Sequence, residues 1–244
     1  MSRQQTRGIV LSRSLSGEAD YICSIFTKDR GREKFIFKGI RKSRKRPRSA
    51  SEPGTILDII YYTGKSGPLN TVSEFDIASS CGAIRGSSNS IFSLCYMLEL
   101  IDATTGFGDI NERIYSLLSA GIDSLGKTKH PLHFLIFFTA RYMDMQGIMP
   151  ETESCSWCGR GEDAELFLDP VSLRMSCSGC SGGGKAVNST ASRYLRHCLR
   201  DKFSRIEPNN YDRELISPLF FSLRAYIENY FSVKLKSADM LVKT

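Results

Sequence analysis

Five short segments rich in β-branched and aromatic residues fill the first 76 positions: TRGIVLSR (6–13), DYICSIFT (20–27), REKFIFKGI (32–40), TILDIIYY (55–62) and LNTVSEFD (69–76). Each partly alternates apolar and polar side chains, the period of a strand with one buried face. Turn residues punctuate them at Ser16-Gly17, Lys28-Asp29-Arg30-Gly31, Pro53-Gly54 and Gly64…Gly67-Pro68. Strands so short and so closely spaced, with no helix between most of them, predict a small closed barrel. A five-stranded OB barrel, a fold whose ligands are oligonucleotides, fits best. An SH3-like barrel or a simple sandwich would give a similar pattern.

After about residue 80 the period changes. Ile91, Leu94, Cys95, Leu98 and Ile101 follow helical spacing. Ile110, Ile114, Leu117 and Leu118 mark a second helix, with Asp109 as its N-cap. A third runs from Pro131 to Gln146, apolar nearly all round and therefore central in a bundle, and is ended by Gly147 and Pro150. Ser189 to Lys202 and Tyr211 to Phe231 complete the set, the last kinked or started by Pro218. The fold class expected is α+β: an N-terminal five-stranded OB-fold barrel over 1–80, then an all-α helical domain over 81–244 with a four-cysteine zinc ribbon inserted at about 151–186.

The ribbon rests on CSWCGRGEDAELFLDPVSLRMSCSGC, which places Cys155, Cys158, Cys177 and Cys180 in two C-x2-C units. Two residues between cysteines make a tight knuckle that aims both sulfurs at one point, and two knuckles on a hairpin complete a tetrahedron. All four positions are filled, so one structural zinc per chain is expected rather than a catalytic one. Backbone N–H groups at Gly159 and Gly179, with Arg160 and Arg174, are candidates for support around the thiolates. The remaining cysteines, Cys23, Cys81, Cys95 and Cys198, sit in apolar contexts and are expected to be buried.

The charge of the chain is concentrated in one place. Net charge is +7, yet residues 28–48 alone hold eleven Lys/Arg against two acids. A basic patch on a nearly neutral protein implies a polyanionic partner, nucleic acid or an anionic membrane surface. The run begins inside the third strand at Lys34 and Lys38. It continues through Arg41, Lys42, Arg44, Lys45, Arg46 and Arg48. On an OB barrel the third strand lines the binding face, so these eight residues are the expected nucleic-acid-binding set, strand and flexible loop together. Phe35 and Phe37 share one strand face, either packed in the core or stacked on bases. Nothing in the run reads base edges, so binding largely independent of sequence is expected.

No catalytic constellation is present. GCSGGGKA (179–186) matches the spacing of a phosphate-binding loop, but Ala186 stands where Ser or Thr must hold magnesium. His130 and His133 flank a helix start and read as cap or core residues. With no signal-peptide pattern and no apolar run of spanning length, a cytoplasmic protein with reduced cysteines is expected.

The opening residues GIVLSRSLSGEADYICSIFTKDRGREKFIFKGIRKSRKR resemble the N-terminus of RecO, a family of bacterial recombination mediators. The likeness lies in Gly17-Glu18-Ala19-Asp20, Thr27…Gly31 and Lys38-Gly39-Ile40-Arg41-Lys42. It continues through Leu98-Glu99-Leu100, Gln146-Gly147-Ile148-Met149-Pro150, the cysteines and Leu235-Lys236-Ser237. The family pattern has Gly-Gly just before the third cysteine; here the chain reads Val171-Ser172-Leu173-Arg174-Met175. The resemblance implies a DNA repair mediator, not an enzyme, associated with the bacterial nucleoid. It implies binding of single- and double-stranded DNA, annealing of complementary strands and action with RecR. It also implies contact with the single-strand-binding protein's acidic C-terminal tail and loading of RecA onto coated DNA, without a nucleotide cofactor. The alternative reading from the residues is an OB-fold RNA-binding factor with a structural zinc.

Overall fold

The first strand closes the barrel. β1 (Arg3–Ser16) pairs through its first half with β4 (Ile56–Tyr62) and through its second half with β2 (Asp20–Thr27), both antiparallel. A register irregularity between Val10 and Ser12 falls where the strand passes from one partner to the other. Such a bulge bends the strand and increases its twist, as closure requires. Gly8 pairs on both sides, and a Cβ there would come within 2.5 Å of Ile25 Cγ2. With β3 (Gly31–Phe37) and β5 (Leu69–Ser79), the closed order is β1-β2-β3-β5-β4, β3 and β5 running parallel. This is the OB connectivity that the strand spacing led us to expect.

The computed structural model describes residues 3–64, 69–161, 165–181, 189–206 and 210–240. The end of the Gly64…Pro68 turn and most of the near-match at 182–186 lie outside them. The chain forms two compact units, 1–127 with 235–244, and 128–234.

In the first unit the barrel interior is filled by Val10, Cys23, Ile25, Phe35, Phe37, Leu57, Ile59 and Tyr61, all fully buried. Phe35 meets Tyr61 edge-on at 5.1 Å between centroids. Both phenylalanines are therefore core, and neither is available to stack on a base. Two helices follow: α1 (Ser88–Thr104), capped by the Ser87 hydroxyl, and α2 (Glu112–Leu125), capped by Asn111, whose side chain accepts the Ile114 N–H at 3.1 Å. Asn111, not Asp109, is the cap. Asp109 instead lies with its backbone against Gly31, where a Cβ would meet its carbonyl oxygen at 2.1 Å. The buried stripe of α1 runs through Ser90, Leu94, Met97, Leu98 and Ile101. Ile91 and Cys95, one turn apart at the edge of that stripe, are exposed, so Cys95 is not the buried residue expected. The tail returns to this unit: Glu99 accepts the N–H groups of Lys236 at 3.0 Å and Ser237 at 2.8 Å, and Leu235 is fully buried. Thus α1 and α2 belong to the barrel's compact unit, whereas the expected boundary at residue 80 follows the change in secondary structure.

The second unit is built on α3 (Pro131–Met145), which packs against α4 (Ser189–Arg200) and α5 (Arg213–Phe231). Phe134, Leu135, Ile136, Phe138, Ala140 and Tyr142 of α3 are all buried, as its all-round apolarity demands. Gly147 follows it at φ +68°, a left-handed value that suits glycine. α5 starts at Arg213 with Asp212 as its cap, and Pro218 lies inside it rather than at its start. His130 is the N-cap residue of α3 and His133 is buried against Tyr194, at 3.2 Å from Nδ1 to the hydroxyl. A two-stranded hairpin, β6 (Leu166–Leu168) and β7 (Met175–Cys177), carries the cysteines and packs on α4.

Candidate nucleic-acid interface and metal centre

The basic run leaves β3 and is at once held down by the β1–β2 turn. The carboxylate of Asp20 accepts the Gly39 N–H at 2.7 Å, and the Ala19 carbonyl accepts the Arg41 N–H at 3.0 Å. Gly39 adopts φ +68°, which turns the chain back over that hairpin. Arg41 donates to the Glu18 carbonyl at 2.9 Å, and Lys42 pairs with the Glu18 carboxylate at 2.9 Å. Further on, the Ser43 hydroxyl accepts the Arg46 N–H at 2.9 Å, and a short 3-10 turn, Arg48–Ser51, leads toward β4. The loop expected to be flexible is therefore tied to the barrel by backbone hydrogen bonds.

This anchoring divides the eight expected DNA-binding residues. Lys34, Lys38, Lys42, Arg44, Lys45 and Arg48 are exposed. Arg41 and Arg46 are half-buried and serve the loop itself. The guanidinium of Arg46 donates to the Lys38 carbonyl at 3.1 Å and lies 5.0 Å from the Phe75 ring centre. Lys34 lines a cavity of about 390 Å³ with Arg13, Ser14, Ile22 and Leu69. Lys45 and Arg46 line another of about 460 Å³ with Gln5, Ile60, Phe75 and Asp76.

Two contributors have no counterpart among the expected residues. Arg13 lies 4.9 Å and Arg41 5.8 Å from the ring centre of Tyr21, so a single aromatic gathers two guanidiniums near the hairpin. Asp102 of α1 is the other. It accepts from the hydroxyls of Ser12 and Ser24 at 2.7 Å each and from Arg32 at 3.1 Å. Three strands are pinned to one helix by one carboxylate, and Arg32 is further covered by Phe107, 4.0 Å from its ring centre. No local pattern marks an acid inside a helix for such a task. Glu18 and Asp20 did stand in a motif, Gly17-Glu18-Ala19-Asp20, whose purpose is to seat the loop.

The metal centre is as compact as the spacing implied. The four sulfurs of Cys155, Cys158, Cys177 and Cys180 all lie within 4.8 Å of one another, and those of Cys158 and Cys177 are 3.7 Å apart. A tetrahedron with metal–sulfur bonds of 2.3 Å has edges of about 3.8 Å, so the set fits a metal ion. Backbone N–H groups of Cys177 and Cys158 hold the Cys155 thiol down at about 6, whereas contact with Cys158 and Cys177 pushes Cys180 up to about 12. Four thiols so close cannot all ionise unless a cation sits among them. The Gly159 N–H bonds the Cys155 carbonyl at 2.9 Å, so the amides that serve the Cys155 sulfur are not the one expected. Leu173, in the stretch that leads to the third cysteine, adopts φ +55°, a strained value. Its N–H bonds the Asp169 carbonyl at 2.9 Å and its side chain is fully buried, which offsets the strain. Of the other cysteines, Cys23, Cys81 and Cys198 are buried, and burial pushes the Cys23 thiol up to about 12. No helix among the described residues is long and apolar enough to cross a membrane.

Two family models match the chain: "Recombination protein O N terminal" over residues 1–81 and "Recombination protein O C terminal" over residues 85–239. The chain is similar to the DNA repair protein RecO of Moorella thermoacetica, 27% identical over 238 residues, covering 96% of this chain and 88% of that one. It is also similar to the DNA repair protein RecO of Frankia casuarinae, 32% identical over 197 residues, covering 79% and 80%. That of Desulforamulus reducens is 24% identical over 241 residues, covering 96% and 91%.

Proposed function

The chain belongs to the recombination protein O family, and from that premise we propose that its DNA repair role is to bind single and double strands and bring complementary ones together. The observation that carries this is the anchored basic loop. Lys38, Lys42, Arg44, Lys45 and Arg48 stand exposed on a backbone held by Asp20 and Ala19. Two strands repel because both are polyanions, and a fixed cluster of cations lowers that repulsion by releasing counterions from each. Fixing the loop beforehand spares the entropy of ordering it on the strand. Lys34 and Arg13, at the neighbouring cavity, extend the positive surface.

On this reading residues 1–80 are the nucleic-acid-binding domain and 81–244 the helical domain, with the ribbon at about 151–186. The cysteine quartet holds one zinc ion per chain, a metal that tolerates four thiolates in a closed tetrahedron. Its contribution is structural: it neutralises the thiolates and locks the hairpin that packs on α4. The partners are RecR, the single-strand-binding protein's C-terminal tail and, through them, RecA. The work needs no catalysis and no nucleotide, and it takes place in the cytoplasm at the nucleoid. The test is strand annealing of complementary oligonucleotides without nucleotide, with and without single-strand-binding protein. Acceleration over the spontaneous rate supports the reading; no acceleration at low salt overturns it.

A further inference from the structure

Phe35 and Phe37 point into the barrel, so Lys34 and Ile36 of the same strand face outward. On that outer face Ser12, Ser24, Lys34 and Leu69 are successive cross-strand neighbours in one row, and Ile22 pairs with Ile36 in the next. Asp102 of α1 accepts from the hydroxyls of Ser12 and Ser24, which ties the helix to one end of the row. Past that end Lys34 is exposed, and Ile22, Ile36 and Leu69 are only half-buried. The cavity of about 390 Å³ opens there, over Ile22 and Leu69, with Arg13 and Lys34 in its lining.

An aromatic ring stands beside the same lysine. The Gly108 N–H donates to the Arg32 carbonyl at 3.0 Å, so the α1–α2 connection is fastened to the start of β3. Phe107, the residue before, is 52% exposed, with the Arg32 guanidinium 4.0 Å and the Lys34 ammonium 5.2 Å from its ring centre. No acid lines the cavity, and residues 65–68, outside the described residues, add Lys65 and no acid to the chain before Leu69. An apolar floor, an open ring and a cationic rim thus meet at Lys34. A duplex keeps its bases stacked inside and offers only its backbone, whereas an unpaired strand offers flat apolar bases on an anionic backbone. The face is also continuous with the basic loop, because Lys34 and Lys38 lie on one strand and its exit.

We propose that this face is a single-strand-selective subsite, in which unpaired bases lie on Phe107 and on the floor of Ile22 and Leu69 while Arg13 and Lys34 attract the backbone that carries them. This rests on the reading of the chain as a DNA-binding, strand-pairing protein. It divides the work: the loop attracts phosphates of any strand, and the neighbouring face distinguishes unpaired strands from paired ones.

The test uses the full-length protein and three dye-labelled probes of equal length: oligothymidylate, an abasic strand with the same backbone, and a duplex. The wild type should bind oligothymidylate more tightly than the abasic strand. Phe107→Leu, which keeps an apolar side chain beside Arg32, should weaken oligothymidylate binding about tenfold, as loss of one base stack does. It should leave the abasic strand, the duplex and the salt slope unchanged, and Phe107→Tyr should restore the preference for bases. Equal wild-type affinity for oligothymidylate and the abasic strand overturns the proposal while leaving the basic loop's role standing. So does a Phe107→Leu protein that keeps full affinity or weakens on all three probes alike, and so does an acidic peptide with an apolar end that occupies the face without competing with oligothymidylate. No binding of any probe by the wild type at low salt overturns both readings.

Discussion

The carboxylate of Asp20 accepts the backbone N–H of Gly39 at 2.7 Å, joining the β1–β2 turn to the first residues of the basic run. A loop of like charges repels itself, and this bond, with that from Arg41 to Ala19, holds it in one place. Asp20→Ala removes no cation, yet it should weaken DNA binding several-fold by releasing the loop. A charge-assisted hydrogen bond contributes about 1.5–3 kcal/mol, so a fall in urea stability at the lower end of that range should accompany it. Titrations of labelled DNA with the variant check the first point and urea unfolding the second.

Asp102 offers a stability test remote from the loop. Its side chain and that of Arg32 are 24% and 16% exposed, so the pair is largely shielded from water. Asp102→Ala leaves Arg32 and the hydroxyls of Ser12 and Ser24 without their acceptor. The expected cost is about 3 kcal/mol, chiefly the penalty of a shielded guanidinium left unpaired. Urea unfolding measures it, and Asp102→Asn, which keeps an acceptor, should lose less.

The cysteine quartet predicts one zinc ion per chain and a melting temperature that depends on it. Because β6 packs on α4, loss of the metal is felt beyond the ribbon. Even about 3 kcal/mol lost corresponds to a drop of roughly 6–12 °C for a chain of this size. Chelation, or Cys177→Ser, should produce it. Metal analysis and thermal unfolding together decide the matter; substoichiometric zinc with an unchanged melting temperature contradicts the assignment.

Burial pushes the His133 imidazole down from 6.5 to about 4, and His130 and Arg213 add repulsion to its protonated form. The folded protein keeps the ring neutral where the unfolded chain protonates it. This contribution is therefore complete above pH 6.5 and is lost progressively as pH falls toward 4. His133→Asn removes the titrating ring. Its denaturant midpoint should fall less steeply with acid over that window than the wild type's, whatever its absolute stability.

The barrel was legible because its signals are local. DYICSIFT is β2 to the residue, and Gly31 ends the turn where β3 begins. The cysteine quartet was legible because metal geometry restricts spacing. The rest depended on residues far apart in the chain. Alternation places Phe35 and Phe37 on one face, but only barrel closure makes that face the interior. Asp109 and Asn111 are equally plausible caps, and the choice falls to Asn111 because Asp109 is held against Gly31, 78 positions earlier. Among eight cations, nothing local separates Arg41 and Arg46, which brace the loop, from those left exposed. Resemblance marked Leu98-Glu99-Leu100 and Leu235-Lys236-Ser237 without saying that Glu99 binds the second stretch, which the fold makes plain.

The account turns on exposed cations of an anchored loop neutralising phosphates. The direct measurement is the affinity for single-stranded DNA across a salt series, for the wild type and for a protein with Lys38, Lys42, Arg44, Lys45 and Arg48 all changed to Ala. The wild type should show log K falling with log salt at a slope of about −3 to −4, as five phosphate contacts require. The variant should bind weakly at low salt, to all sequences alike, with a much shallower slope left by the remaining cations. A flat response in the wild type, or an unchanged slope in the variant, contradicts the account.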